Sequence, residues 1–409
     1  MLHRILKKFR EIEGGYVFVF SLFTKIFRFV TSLLLIRILS PDDYGALAYV
    51  LAALSFFIPF SGAGLQHSFL RYAPMMEKEE EKHALFQFTL SRGLLFSFFI
   101  AFGLIILIPW LNSSIENTSI YFYVLIFYLF GFFFLELIKN WYRVLHQNRS
   151  FAIIDIYESV FILVLGIGAA YLYGTLAYLI VFVSAPLFVA FMNLKLIRSI
   201  KITIPDKYYS YGIWVGIGAV ASQLMYSLDV FLVGAILQDS KQVALYRSAS
   251  IIPIALFFIP NSYISAHYAY LAKNSFNKEY LIRFVKDYLV LFLILGSSLG
   301  GLLYFMSDYI ILILFGLQYQ EAAFLFRIIV LGMIGVFILR IPFGNLLASV
   351  GKSNWNAYVA FIVLFLNGVL NYFAIYRWGV MGAAIVTSLL FWISGLISMV
   401  LFFFYLKKI

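Results

Sequence analysis

Two cations stand where an apolar helix should have none. The run Gly14–Ser40 is long enough to cross a bilayer, yet Lys25 and Arg28 fall near its middle. Ser21, Lys25, Arg28 and Ser32 follow one another at spacings of four, three and four, which puts them on one helical face with Thr24 and Thr31 beside them. A cation at the bilayer centre costs roughly 3 kcal/mol on conservative scales. Such a stripe has two physical solutions. One is an ion pair inside a helical bundle. The other is a hydrated cavity that receives an anion, for which a guanidinium is well shaped because its fork of N–H groups grips phosphate oxygens in pairs.

Four more cations lie inside apolar stretches: Arg92, Arg247, Arg327 and Arg340. Arg340, beside Pro342 and well inside its stretch, and Arg92, two turns in, extend the candidate anion-binding set. Arg247 and Arg327 sit one turn from an end, where snorkelling to the interface serves equally well. Four acids share the same depth: Glu136, Asp155, Glu158 and Asp229. The first three have Lys139, Arg143 and Arg149 close in sequence, so local pairing is their simplest fate. Asp229 lies deeper, with Ser222, Gln223, Tyr226 and Ser227 forming a polar stripe around it, and is a candidate to pair with Lys25 or Arg28 or to carry a coupling H+ or Na+.

The elements that must hold these groups follow from composition. Of 409 residues, 63% are hydrophobic and only 12% charged, whereas a soluble domain is nearer a quarter charged. The chain reads as an all-α polytopic membrane protein. Apolar stretches of about twenty residues define twelve spans at 14–38, 43–66, 84–110, 119–141, 151–172, 175–196, 210–236, 243–268, 284–306, 322–347, 355–376 and 381–405. Pro59, and Pro253 with Pro260, predict broken hydrogen-bond ladders in the second and eighth. The absence of cysteine excludes disulfides and thiolate chemistry, and five scattered histidines leave no metal-site spacing, so neither a metal nor a cofactor is expected. Residues 1–13 read as an amphipathic interfacial helix on the anionic inner leaflet.

The net charge of +11 would point to nucleic acid in a soluble protein. Here topology absorbs it. Twenty-one of the thirty cations fall in loops on the side of the N-terminus and only Arg37, Lys241 and Arg377 on the other, which predicts both termini in the cytoplasm and no nucleic-acid partner. Trp110, Trp141, Trp355 and Trp378 fall at expected interfaces, as an aromatic belt requires. Every outward connection is short, leaving no room for an extracellular enzymatic domain.

The chain repeats itself. Leu34–Tyr49 (LLIRILSPDDYGALAY) matches Phe231–Tyr246 (FLVGAILQDSKQVALY): an apolar helix end, an acidic turn, then a new helix start. Asn148–Ser150 and Gly351–Ser353 stand at corresponding points, as do Tyr173–Ala177 and Trp378–Gly382. Six spans per half means equal orientation and an axis along the membrane normal. The expected organisation is an interfacial helix at 1–13, a six-helix lobe at 14–197, a cytoplasmic linker at 198–209 and a second lobe at 210–409, the lobes flanking a central cavity.

These marks carry a resemblance. Arg37-Ile-Leu-Ser-Pro-Asp-Asp-Tyr-Gly45, then Gly62-Ala-Gly-Leu65 and Arg71-Tyr72, Ser227-Leu-Asp229, Phe315-Gly316 with Tyr319, Gly351-Lys352 and Trp378-Gly-Val-Met-Gly-Ala-Ala384 resemble, in order and spacing, the polysaccharide-biosynthesis flippases of the Wzx type, within the multidrug/oligosaccharidyl-lipid/polysaccharide exporter superfamily. The resemblance covers nearly the whole chain. It implies a bilobal twelve-helix transporter in a bacterial cell membrane that works by alternating access. The implied cargo is an undecaprenyl-diphosphate-linked oligosaccharide; the implied partners are membrane lipids, a polysaccharide polymerase and a chain-length regulator. On that reading Lys25, Arg28, Arg92, Arg340, Arg247 and Arg327 face the diphosphate, and Ser21, Thr24, Ser32, Gln223 and Tyr226 line the cavity. The competing readings are an exporter of organic cations, which a cationic cavity would repel, a lipid II flippase, and a membrane-embedded polymerase, which would need a larger outward loop.

Overall fold

The acidic turns of the repeat are helix caps. In the computed structural model, which describes residues 14–194 and 203–408 (the side chains of 14–18, 219–223, 225, 226 and 269 excepted), the first helix, α1 (Gly14–Ile38), is followed by Ser40 in extended conformation. Ser40 Oγ accepts a hydrogen bond from the Asp43 N–H at 3.1 Å and starts α2 (Pro41–Leu54). Pro41 stands in the first turn, where its missing N–H costs nothing. Asp239 does the same between α9 (Tyr208–Leu237) and α10 (Ser240–Leu256), its carboxylate accepting from the N–H groups of Lys241 and Gln242. The interfacial helix expected at 1–13 and residues 198–202 of the linker lie outside the described residues, as do the side chains of Ser222, Gln223 and Tyr226.

Prolines break the spans where expected. After α2 the chain tightens into a 3₁₀ segment, Ile58–Gly64, beginning at Pro59, and resumes as α3 (Leu65–Tyr72). The eighth span ends α10 at Leu256 and restarts as α11 (Phe258–Lys273), with Pro260 in the new first turn. The remaining helices are α4 (Glu79–Asn112), α5 (Ser119–Val144), α6 (Asn148–Phe161), α7 (Ile167–Tyr173), α8 (Thr175–Asn193), α12 (Lys278–Phe305), α13 (Ser307–Leu314), α14 (Ala322–Gly335), α15 (Ile341–Ser349) and α16 (Ser353–Lys408). A π-helical turn, Ile162–Gly166, joins α6 to α7, and another, Val336–Arg340, joins α14 to α15. Ten helical segments among the described residues are long and apolar enough to cross a membrane. One of them, the 56-residue α16, is about twice the length a bilayer requires and is interrupted at Gly379 (φ 59°). Taking it as two, and adding the 30-residue α9, each of the twelve expected spans is met by helix.

The chain forms two compact units. The first comprises Met1–Asp43 and Val50–Gln223, the second Tyr44–Tyr49 and Leu224–Ile409. The expected boundary at 198–209 is therefore displaced into the middle of α9, and for a steric reason. Gly64 lies against the Gly212 carbonyl so closely that a Cβ on Gly64 would stand 2.1 Å from that oxygen, while Ser68 Oγ donates to the Tyr208 carbonyl at 2.6 Å. These contacts hold the first half of α9 in the first unit. Conversely, Tyr49 stacks on Phe231 at 5.6 Å, which holds Tyr44–Tyr49 in the second.

Within the first unit the core runs through Leu65, Phe69, Leu85, Phe133 and Leu137. Trp141 belongs to it: only 6% exposed, it stacks on Phe69 and lies 4.1 Å, centroid to centroid, from His83. It is not part of an interfacial belt, whereas Trp110 and Trp378 are more than half exposed. In the second unit Tyr288 stacks on Phe292, and its hydroxyl donates at 2.8 Å to the Phe337 carbonyl inside the second π turn. That bond satisfies a backbone acceptor in a stretch of irregular ladder, as a membrane interior demands.

Candidate functional site

In the first unit, helices α1, α5 and α6 bring five charges together. Arg28 Nη2 donates to Glu158 Oε2 at 2.8 Å, and its Nε donates to Ser159 Oγ at 3.3 Å. Lys139 Nζ lies 2.5 Å from Glu136 Oε1 and 2.9 Å from Asp155 Oδ1. Asp229, a candidate partner for Lys25 or Arg28, belongs to the second unit; the acid that Arg28 meets is Glu158. The cause is helix packing: α6 lies along α1, and Glu158 and Ser159 are on the face it presents. The burial of the pair is unequal, since the Glu158 side chain is 6% exposed and that of Arg28 57%. One end of this ion pair is closed off; the other is open.

The hydroxyls of the stripe do less than their spacing suggests. Thr24 Oγ1 donates to the Phe20 carbonyl, Thr31 Oγ1 to Phe27 and Ser32 Oγ to Arg28, each four residues back in the same helix. Such back-bonding hides hydroxyls in apolar surroundings. Ser21 is half-buried and Lys25 exposed on the same helix. Arg92, exposed on α4, places its guanidinium 5.9 Å from the Phe88 ring, one turn away.

The remaining cations belong to the second unit. Arg327 pairs with Asp308, and its Nε donates to Ser307 Oγ at 2.6 Å. Arg247 lies beside buried Tyr44. Arg340, at the end of the second π turn, donates through Nη1 to Asn356 Oδ1 at 2.8 Å and reaches Ser398 Oγ at 3.4 Å. The guanidinium occupies space left by Gly344, where a Cβ would stand 2.7 Å from Nη1.

Asp229, on α9, sits among neutral donors. Oδ1 accepts from Asn367 Nδ2 at 2.8 Å and Asn371 Nδ2 at 2.9 Å, both on α16. Oδ2 accepts from Thr387 Oγ1 at 2.6 Å and from the Tyr246 hydroxyl at 3.0 Å. All five residues are buried, Asp229 being 5% exposed. The two asparagine Oδ1 atoms are buried without a hydrogen-bond partner. A cavity of about 10 Å³, lined by Asp229, Tyr246, Ser250 and Thr387, adjoins the carboxylate and is near the size of one water or a small ion. A buried carboxylate among hydroxyl and amide oxygens is a donor set suited to H+ or a hard monovalent cation. Sequence reading found Asp229 but missed Asn367, Asn371, Thr387 and Tyr246. The available signal was Asn367 and Asn371 one helical turn apart in an otherwise apolar span.

Helices of this number and apolar length define an all-helical multi-span membrane protein, and solved structures give the fold its place. The chain is similar to an inward-closed lipid II flippase MurJ (TM-score 0.76, 14% identity, covering 96% of this chain and 87% of that one). It is equally similar to an inward-facing multidrug resistance MATE family transporter of the MOP superfamily (TM-score 0.76, 13% identity, 94% and 95%). The chain belongs to the polysaccharide biosynthesis protein family, whose profile matches residues 34–324. It is 27% identical over 385 residues to a Shigella flexneri protein described as a "Putative O-antigen transporter", covering 87% of this chain and 88% of that one.

Proposed function

We propose that this protein is a flippase for undecaprenyl-diphosphate-linked oligosaccharide repeat units, of O-antigen, capsule or exopolysaccharide type. It moves them from the cytoplasmic to the outer leaflet of a bacterial cell membrane by ion-coupled alternating access, with both termini in the cytoplasm. The observation that carries this reading is Arg28: a guanidinium near the middle of an apolar helix, its side chain more than half exposed, with Nη2 on Glu158 and Nε on Ser159. A diphosphate needs such a group because it cannot shed its water into hydrocarbon, whereas the polyprenyl tail can remain in lipid. Lys25 and Arg92, in the same unit, supply further positive charge. Family membership and the Shigella flexneri relative support the same cargo.

Asp229 and its neutral shell are assigned the coupling ion, H+ or Na+. A carboxylate without a basic partner among its four donors changes the free energy of its surroundings most when a cation joins it. Export of organic cations is disfavoured by the positive charge at Lys25 and Arg28, and similarity to the MATE and MurJ structures extends to fold alone.

Deleting the gene and identifying the lost surface glycan tests class and cargo together. The expected result is loss of one polysaccharide, with its lipid-linked repeat retained on the cytoplasmic leaflet, and the same phenotype from Arg28→Ala at normal expression. Unchanged glycans with altered drug resistance would overturn the reading.

A further inference from the structure

The charges of the first unit do not balance, and the imbalance is placed where it matters. Glu136, Asp155 and Glu158 face only Arg28 and Lys139 within the network. Lys139 is already held by Glu136 and Asp155, at 2.5 and 2.9 Å. Among the described residues Glu158 has one direct ionic partner, Arg28, and that partner is the open member of the pair, 57% exposed against 6%. The other groups around Glu158 offer no replacement. From α5 it meets the field of Tyr128, Glu136 and Lys139, from its own helix that of Asp155, and Tyr178 of α8 lies beyond Tyr128. Two of these are further acids and two are phenols, and the one cation, Lys139, is already shared by Glu136 and Asp155.

We infer that Glu158 takes up a proton when Arg28 turns to an anionic ligand, so that diphosphate binding and protonation of Glu158 are one linked event. In the free protein the guanidinium serves the carboxylate. When a phosphate oxygen takes the guanidinium, one ion pair breaks and another forms, and Glu158 is left as a buried anion beside two others. Leaving a buried carboxylate without its direct partner costs more than protonating it near neutral pH. The proton comes from water and returns to it when the phosphate leaves and Arg28 swings back. No bond to carbon or phosphorus changes. The inference rests on the proposed diphosphate cargo and adds to it a proton that binds with the substrate, at a site separate from Asp229.

The test uses purified full-length protein in detergent and a short-chain prenyl-diphosphate N-acetylglucosamine. This ligand is a diphosphate diester with no titrating group near neutrality. Ligand is added in weakly buffered solution with a pH indicator, and affinity is measured in parallel across pH. Wild type should take up about one proton per ligand bound, and its affinity should fall about tenfold per pH unit where Glu158 is ionised when free and protonated in the complex. Raising the pH works against the complex because the complex holds the extra proton. Glu158→Gln keeps an acceptor for Arg28 but cannot take the proton; its binding should bring no uptake and be independent of pH. Binding by wild type without proton uptake, or undiminished uptake by Glu158→Gln, overturns the inference and leaves the functional reading standing. If Glu158→Gln does not fold, a pH-independent wild-type affinity is sufficient to overturn it. No binding by wild type at any pH removes the functional reading and the inference with it.

Discussion

Arg28 and Glu158 are 130 residues apart in sequence and 2.8 Å apart at Nη2 and Oε2. The pair joins the first span of the unit to the fifth, beside a second cluster in which Lys139 meets Glu136 and Asp155. An arginine held this way has two duties, to neutralise Glu158 and to meet an anion, and the two can be separated by substitution.

Arg28→Ala should lower stability by about 2 kcal/mol, between the cost of losing a surface pair and a buried one, and abolish export. Adding Glu158→Gln should restore most of the stability, because the orphaned charge is gone, without restoring export. Thermal unfolding in detergent beside glycan analysis in cells checks both. Recovery of export by the double variant would mean that Arg28 serves structure alone.

Asp229→Asn should fold, since amide and carboxylate have one shape, yet sever the link to the coupling ion. In proteoliposomes wild type should respond to an imposed H+ or Na+ gradient and the variant to neither. Asn367→Leu should weaken the response less, because Asn371, Thr387 and Tyr246 still face the carboxylate.

Gly344→Ala should push the Arg340 guanidinium away from Asn356, as the new methyl would stand 2.7 Å from Nη1 and 3.1 Å from Asn356 Oδ1. Reduced export with near-normal expression is expected. Gly301→Ala is the control: nothing lies within 4 Å of its Cβ, and alanine favours helix by roughly 0.5–1 kcal/mol. Export measured side by side in the two variants distinguishes a local displacement from a general effect of filling glycine sites.

Gly64→Ala should destabilise by about 2–4 kcal/mol, since its φ of 71° suits glycine and the added carbon would meet backbone at Gly212. Gly216→Ala, whose nearest contact is 3.4 Å, should be tolerated. Unfolding temperatures of the two purified variants are the measurement.

What could be read from the amino acids was whatever repeats or is local. Apolar length placed the spans, and Pro59, Pro253 and Pro260 placed the breaks. The recurring acidic turns are the caps at Ser40 and Asp239, and the recurring Gly174 and Gly379 are both left-handed, at φ 80° and 59°. What could not be read was partnership across long separations. Nothing near Arg28 in sequence names Glu158 rather than Asp229, because both are acids at helical depth, and the choice depends on which helix lies beside α1. Trp141 went astray for a related reason: position along a span gives depth in the membrane but not the side on which a ring is buried. The hydroxyls of Thr24, Thr31 and Ser32 turn to carbonyls four residues back, which are always within their reach, so spacing on a helix does not give their partners.

The exchange of short segments between the two units bears on how such a gene can evolve. Tyr44–Tyr49 belongs to the second unit, and the opening of α9 to the first. A crossover between relatives at residues 198–209 would therefore part both segments from the surfaces they pack on. Those segments and their surfaces must be inherited, and must drift, together.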